Sequence, residues 1–161
     1  MDFKNFFQWQ PDANGRPLVR VNGGKFRNVG IEAEYGRRLS DRLKWNVSGS
    51  YSNPRQKEMN ETYWKQAAPK LQFTTGIHYK SSTWDAGTSL NFVTKRLRNR
   101  DGGLNPNIAL WNAYVGYHFN KDATLRLDAR NLLNRHNVVS NGDYEYWDAP
   151  FNYELSYTQK F

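Results

Sequence analysis

The amino-acid sequence predicts an all-β fold of antiparallel strands that form the wall of a transmembrane β-barrel. Three observations predict it. Apolar and polar residues alternate with period two along the chain, as expected of strands whose successive side chains point to opposite faces. Long polar connections alternate with tight turns, and 16% aromatic residues accompany a low mean hydropathy of −0.90. This combination suits a barrel with an apolar outer band, aromatic girdles and a polar interior.

Each predicted strand has one apolar and one polar row, and the chain holds about eight strands, an even number as bacterial barrels use. A first strand covers residues 3–10. The next six have the apolar rows Val29, Ile31, Ala33 and Tyr35; Leu43, Trp45, Val47 and Tyr51; Leu71, Phe73, Thr75, Ile77 and Tyr79; Trp84, Ala86, Leu90 and Phe92; Ala109, Trp111, Ala113, Val115, Tyr117 and Phe119; and Ala123, Leu125, Leu127 and Ala129. The row that begins at Ala109 is less regular, because Ile108, Leu110 and Tyr114 lie on its other face.

The last strand has an almost uninterrupted apolar row and an aromatic residue at its final position. Its apolar row contains Phe151, Tyr153, Leu155, Tyr157 and Phe161, and only Gln159 interrupts it. The polar row contains Asn152, Glu154, Ser156, Thr158 and Lys160. One half-buried strand of this kind also suits a soluble sandwich, so the connections and the remaining strands decide the fold.

The connections are sorted by length. Tight turns are predicted at 40–42, 80–82 and 120–122, whereas 11–17, 53–68, 97–106 and 134–150 are long and polar. Outer-membrane barrels have short periplasmic turns and longer extracellular loops. A soluble sandwich has no reason to sort its connections in this way.

Composition limits the possible functions. The chain has no cysteine, so neither a disulfide nor a thiolate metal site can form. No apolar run approaches the roughly 18 residues of a membrane helix. The formal net charge of +8 is compatible with nucleic acid, anionic lipid headgroups or an anionic small ligand. No signal peptide follows Met1, so we expect a mature form or a piece of a longer protein.

Two segments resemble motifs of the TonB-dependent outer-membrane receptors. Asn131-Leu132-Leu133-Asn134-Arg135 is similar to the family's NLF(D/N)(K/R) element, which precedes the last loop and strand. Residues 22–34 resemble its N-x-G-x-x-x-x-x-G-x-E-x-E strand, in the same order and at a similar spacing. The resemblance implies that residues 1–161 are a C-terminal barrel segment of a receptor with about 22 strands around a plug. The plug and the N-terminal strands are then expected outside this chain.

The same resemblance implies a function and a set of partners. The parent receptor would import ferric siderophores across the outer membrane of a Gram-negative bacterium, and TonB would act on it only through the plug. Iron would be bound by the siderophore and not by the protein, so no cofactor is expected. Outer-membrane lipid, lipopolysaccharide and the barrel-assembly machinery are the other implied partners, and nucleic acid is not. The assembly machinery would recognise the terminal row Phe151, Tyr153, Leu155, Tyr157 and Phe161.

Charged residues on the polar rows are predicted to line the barrel interior. Arg126, Asp128, Arg130 and Glu154 lie on the last two strands, where neighbouring strands bring opposite charges together. We interpret them as a charge ladder in preference to a ligand site. Glu32 and Glu34 lie in the motif that resembles the family's, which implies that they face basic residues of the plug.

Three long connections hold the candidate ligand-binding residues. Arg96, Arg98 and Arg100 would attract an anionic ferric siderophore, although a solvated basic loop or a lipopolysaccharide contact explains them equally well. Aromatic residues in the other two connections would stack on the ligand or belong to the outer aromatic girdle; they are Tyr63, Trp64, Tyr144, Tyr146 and Trp147.

No catalytic arrangement is recognisable, so we do not expect an enzyme. His78, His118 and His136 have no ligand spacing with one another, and the sequence has no phosphate loop or nucleophile elbow. Two other functions stay open. One is a small outer-membrane barrel that closes on itself and has a structural or adhesive role. The other is a soluble basic β domain that binds polyanions.

Overall fold

The computed structural model describes residues 2–10, 19–59, 62–67, 69–94, 96–97, 103–139 and 146–160. In this part of the chain all regular structure is β. The strands are β1 Asp2–Gln10, β2 Val19–Arg27, β3 Gly30–Arg38, β4 Leu43–Ser52, β5 Arg55–Lys57, β6 Lys65–Gln66, β7 Leu71–Lys80, β8 Trp84–Thr94, β9 Arg96–Leu97, β10 Leu104–Asn105, β11 Ile108–His118, β12 Ala123–Arg130 and β13 Asn152–Gln159. None of the described segments is a helix that could cross a membrane.

The thirteen strands correspond to eight longer runs, because five of them continue a neighbour across a short interruption. These pairs are β2 with β3, β4 with β5, β6 with β7, β8 with β9, and β10 with β11. Hydrogen bonds bridge the gaps, as between Asn53 N and Val29 O at 2.8 Å and between Ser52 N and Lys70 O at 2.8 Å. The predicted number of strands is therefore confirmed.

Seven strands form one antiparallel sheet in the order β13-β12-β11-β8-β7-β4-β3. Four other strands form a second sheet in the order β1-β2-β5-β6. The short strands β9 and β10 pair with each other. Among the described residues β3 and β13 are the free edges of the large sheet, which does not close on itself. The small self-closed barrel that the sequence left open is therefore not the structure observed.

The strand register places the apolar rows on one continuous face. Leu127 lies opposite Leu155 on one side and Val115 on the other, and the same alignment extends to Ile31 opposite Tyr51. These side chains have no core to enter, since Ala109, Ala123 and Val138 are the buried hydrophobic residues of the described chain. Leu155 is 64% exposed and Ile31 is 70% exposed. An exposed apolar face of this extent suits contact with lipid and does not suit a soluble domain.

Aromatic side chains cluster where the apolar face meets the short turns. The Tyr35 and Trp45 rings lie 5.8 Å apart, Trp84 and Tyr117 4.7 Å, and Tyr117 and Phe119 4.9 Å, all edge to face. Edge-to-face contacts are the arrangement that aromatic quadrupoles prefer. The clusters occupy the position of the girdle that a barrel places at the membrane interface.

The three tight turns share one design, in which a side-chain oxygen of a turn residue accepts backbone N–H groups. Ser40 Oγ accepts from Leu43 N at 3.1 Å, Ser81 Oγ from Trp84 N at 2.9 Å, and Asn120 Oδ1 from Ala123 N at 2.9 Å. Ser and Asn favour turns through such bonds. The predicted turns are thus confirmed, and all three lie at the same end of the sheet.

Candidate functional site

The polar face of the sheet brings together charged and aromatic side chains from β8, β11 and β12. The register aligns Tyr114 of β11 with Gly87 of β8 and Asp128 of β12, and the next row aligns Gly116 with Asp85 and Arg126. We call Asp85, Tyr114, His118, Arg126 and Asp128 the lumenal network, because they lie on the face opposite the apolar one.

Arg126 is the centre of the lumenal network. Its Nε and Nη2 donate to the two carboxylate oxygens of Asp128 at 2.8 and 2.9 Å, and Nη1 lies 3.5 Å from Asp85 Oδ2. The guanidinium also stacks on the Tyr114 ring, with Cζ 3.8 Å from its centroid. A guanidinium fork that binds a carboxylate with two parallel hydrogen bonds has a fixed orientation.

His118 connects the network to the short turns. Its Nε2 lies 2.8 Å from Asp85 Oδ1, and its Nδ1 lies 2.9 Å from Thr124 Oγ1. The Asp85 carboxylate is therefore shared by His118 and Arg126. Asp85, Arg126 and Asp128 thus each have an oppositely charged neighbour, and the role of Arg126 and Asp128 in a lumenal charge ladder stays a prediction. The described residues also contain no cluster of side chains that could hold a metal ion.

Two glycines make room for the network. A Cβ atom at Gly87 would lie 2.6 Å from the Tyr114 ring and 2.8 Å from His78 Nδ1, and one at Gly116 would meet the Asp85 carboxylate. Both distances at Gly87 are shorter than ordinary van der Waals contact. The glycines therefore let large side chains lie flat across the neighbouring strands.

Gly87→Val is expected to displace Tyr114 and to lower the free energy of unfolding by about 1–3 kcal/mol, the usual cost of inserting methyl groups where no space exists. Gly36→Val is the matched control, since a Cβ atom at Gly36 meets nothing within 4 Å and valine favours strands. Denaturant unfolding of the lipid-refolded protein measures both. Equal stability of the two variants would show that Tyr114 does not need the space above Gly87.

The other predicted lumenal residues are more exposed. Arg130 Nη2 lies 4.0 Å from Glu154 Oε2, with both side chains more than 60% exposed, so this pair contributes little stability. Glu32 and Glu34 line an open groove of about 430 Å³ beside Ser48, Gly49, Ser50, Gln72 and Thr74. They lie on the polar face as predicted, but a plug contact stays a prediction.

The loop connecting β5 to β6 presents aromatic residues beside cations. Arg27 Cζ lies 4.4 Å from the centroid of the Trp64 ring, and Lys65 Nζ lies 5.6 Å from that of Tyr63. The Tyr63 side chain is 60% exposed. These contacts place Trp64 beside Arg27 of β2, and ligand stacking by Tyr63 and Trp64 stays a prediction.

Arg96 is buried, whereas its position in a basic segment of the sequence suggests an exposed side chain. Its Nη1 donates to the backbone carbonyl of Val138, and its relative exposure is 6%. Burial lowers the pKa of the guanidinium from its ordinary value, although arginine stays charged. Arg96 therefore ties β9 to the last long connection. Of the other predicted ligand-binding residues, Arg98, Arg100 and Tyr144 lie outside the described residues.

The last long connection is organised by Asn131, whose side chain is the largest fully buried one among the described residues. Its Nδ2 donates to Arg135 O and Ala149 O, each at 2.9 Å, and its Oδ1 accepts from Arg135 N at 3.1 Å. Asn131 and Asn134 have φ values of 53° and 47°, and Asn134 Oδ1 accepts from Phe151 N at 3.0 Å. The motif recognised in the sequence thus closes the connection onto the sheet.

Aromatic residues stand at the outer end of the same connection. The Trp147 ring stacks on His136, with centroids 6.0 Å apart and planes 17° apart. Tyr146 and Trp147 are each 62% exposed. A backbone bridge between Val138 and Trp147 fixes the position of this pair. Both predicted functions of Trp147, ligand stacking and girdle, are compatible with this position.

The predicted assembly signal lies on the apolar face. Tyr153, Leu155 and Tyr157 are between 60% and 72% exposed, and Phe151 packs against Tyr153 at 6.5 Å between centroids. Phe161 lies outside the described residues. The row is accessible to another protein or to lipid, and its recognition by the assembly machinery stays a prediction.

Several residues of the network and the connection were missed by sequence reasoning. Asp85, Tyr114, His118 and Asn137 have no motif that marks them, and their partners lie on other strands, as Arg126 does for Asp85 and Ala109 for Asn137. One signal was present: Tyr114 interrupts the polar row of its strand, and a large ring among small polar residues indicates a special contact. Asn131 was identified as a motif residue but without a structural role.

Comparisons with known proteins agree with this architecture. Residues 1–132 match the family described as TonB dependent receptor-like, beta-barrel. No protein with a curated description matches the sequence.

Three solved structures are similar in fold. They are the copper transporter OprC (TM-score 0.73, 16% identity), the ferric-catecholate import receptor Fiu of E. coli K12 (0.71, 16%) and the ferric citrate transporter FecA (0.76, 22%). The similarity covers 99%, 99% and 97% of this chain and 28%, 24% and 27% of those chains. The chain thus spans about a quarter of the length of each.

Proposed function

Because the chain belongs to the family of TonB-dependent receptor-like β-barrels, we propose that it forms part of the wall and mouth of an outer-membrane receptor that imports ferric siderophores. The observation that carries this proposal is the two-faced sheet within a matched family. One face is apolar and exposed without a core, and the other holds the lumenal network. Lipid would cover the first face and the interior of the barrel the second.

A ferric siderophore as the cargo is supported by two considerations. Fiu and FecA are named for ferric complexes, whereas OprC is named for copper, so the neighbours do not share a single substrate. The connections of this chain add basic and aromatic residues, which favour a bulky anionic complex over a bare cation. TonB would act through a plug that fills the lumen, and residues 1–161 would contribute the C-terminal part of the barrel.

The apolar face and the basic connections also suggest partners in assembly and in the membrane. The apolar row of β13 would be presented to the barrel-assembly machinery, and the exposed apolar face to outer-membrane lipid. Basic residues of the long connections would meet lipopolysaccharide. No step of this function breaks or forms a bond in the ligand, because transport depends on differential binding and on an external energy source.

A ferric siderophore titration tests the proposal. The refolded chain is expected to bind weakly, with a dissociation constant above about 10 μM, because ordering the long connections costs free energy and other parts of the mouth are supplied elsewhere. Binding is followed by tryptophan fluorescence with a ferric catecholate, ferric citrate and Cu²⁺. Removing the charges of Arg98 and Arg100 should weaken the ferric complexes several-fold.

The double variant Lys121→Gln with Lys160→Gln is the control. Both residues lie at the turn end, and their substitution removes the same number of positive charges. An equal effect of both double variants would contradict a basic mouth. Submicromolar binding by the unmodified chain would show instead that it holds a complete site.

A further inference from the structure

The polar face carries two patches of opposite sign along the same strands. On β3, Glu32 and Glu34 precede Arg38 on one face, since these positions differ by even numbers. Glu34 and Arg38 are separated by about 13 Å at the rise of a strand. The acidic groove therefore lies toward the long connections, and a basic region lies toward the short turns.

The basic region surrounds a recess of about 580 Å³. Arg38 of β3, Lys44 of β4 and Lys80 of β7 enter it from three strands, together with Arg42 of the turn. The lumenal network forms its far wall through Asp85 and Arg126. A volume of this size accommodates a small molecule or a few side chains.

The cations of the recess exceed the acids available to them. Asp85 already binds His118 and Arg126, and Asp128 binds Arg126. The Arg42 side chain hydrogen-bonds to Tyr79. Within the described residues Arg38, Lys44 and Lys80 make no ion pair, and Asp41 is the acid of the recess that lies outside the network.

The strand register places two of these cations next to each other. Arg38 lies directly opposite Lys44, whereas Lys80 lies opposite Asp85, which already binds His118 and Arg126. Like charges directly opposite each other on one face destabilise a sheet, whereas an anion between them would be stabilised by both. The low-dielectric sheet behind the recess strengthens that field.

We propose that this basic recess binds a multivalent anion, whose carboxylate or phosphate oxygens bridge Arg38, Lys44 and Lys80. The site lies at the turn end of the barrel interior, away from the mouth, and it does not depend on the identity of the transported complex. Its anionic groups come either from a small molecule in the lumen or from acidic side chains of a protein segment that fills the lumen.

Two probes distinguish these sources. The chain refolded in detergent is titrated calorimetrically, at 0.15 M salt, with inorganic pyrophosphate and separately with a tetraglutamate peptide. Lys44→Gln with Lys80→Gln should lower the affinity for the bound probe at least about tenfold, because two of the three bridging cations are lost. Lys121→Gln with Lys160→Gln is the matched control and should change it less than twofold.

Each outcome is informative. Pyrophosphate binding that depends on Lys44 and Lys80 supports a small-molecule site, and the same dependence for the peptide alone supports a protein segment. Equal losses in the two double variants, or no binding of either probe, would overturn the proposal. Neither result would alter the expected ferric siderophore titration, in which the charges of Arg98 and Arg100 are removed.

Discussion

Leu155→Arg is expected to lower the free energy of unfolding of the lipid-refolded protein by about 2–4 kcal/mol, the cost of arginine on a lipid face near the bilayer midplane. Leu155 lies opposite Leu127 in the middle of β13 and is 64% exposed on the apolar face. In the proposed barrel this face contacts lipid, so the introduced guanidinium would be placed in hydrocarbon. Denaturant unfolding in lipid vesicles measures the effect.

Ser156→Arg is the neighbouring control. Ser156 lies on the polar face opposite Arg126, so the new charge would be hydrated in the lumen and would meet only a like-charged neighbour. We expect a cost below about 1 kcal/mol. Equal destabilisation by the two substitutions would refute the assignment of the two faces.

The second large effect is expected at the last long connection. Asn131→Ala should destabilise the protein by about 2–4 kcal/mol, because three side-chain hydrogen bonds are lost and Arg135 O and Ala149 O lose a buried donor. Alanine is also unfavourable at the φ of 53° that Asn131 adopts. Hydrogen exchange of residues 131–139 and 146–151 would locate the loss.

Asn131→Gly separates the two causes. Glycine adopts a positive φ readily but cannot form the hydrogen bonds, so it should recover only the backbone part, about 1 kcal/mol. Recovery of the full stability would show that the backbone conformation, and not the amide, matters at this position. Unchanged protection in Asn131→Ala would contradict the role given to this residue.

Much of the fold was predictable because a strand has an exact period of two. If the face of one strand residue is known, the face of every second residue follows. Rows such as Tyr153, Leu155 and Tyr157 were therefore assigned correctly from sequence. The three tight turns were predictable because Ser40, Ser81 and Asn120 form local hydrogen bonds. The interruptions at 28–29 and 53–54 were not predicted, since they depend on how two sheets diverge.

The candidate site was less predictable, because its contacts depend on register between strands. Asp85 meets His118 and Arg126 only when β8, β11 and β12 are aligned, and no spacing along the chain indicates that alignment. Arg96 illustrates the same difficulty. Its neighbours in the sequence suggest an exposed basic loop, whereas a distant carbonyl, that of Val138, determines its burial.

The strand order has a consequence for the folding rate. Every pairing in the seven-stranded sheet joins consecutive long runs of the chain, so the contact order is low for an all-β protein. Hairpins can then add one at a time, and each addition closes only a short segment. The slowest closure is expected between β12 and β13, whose connection spans residues 131–151. Early formation of the Asn131 hydrogen bonds would shorten the effective loop and reduce its entropy of closure.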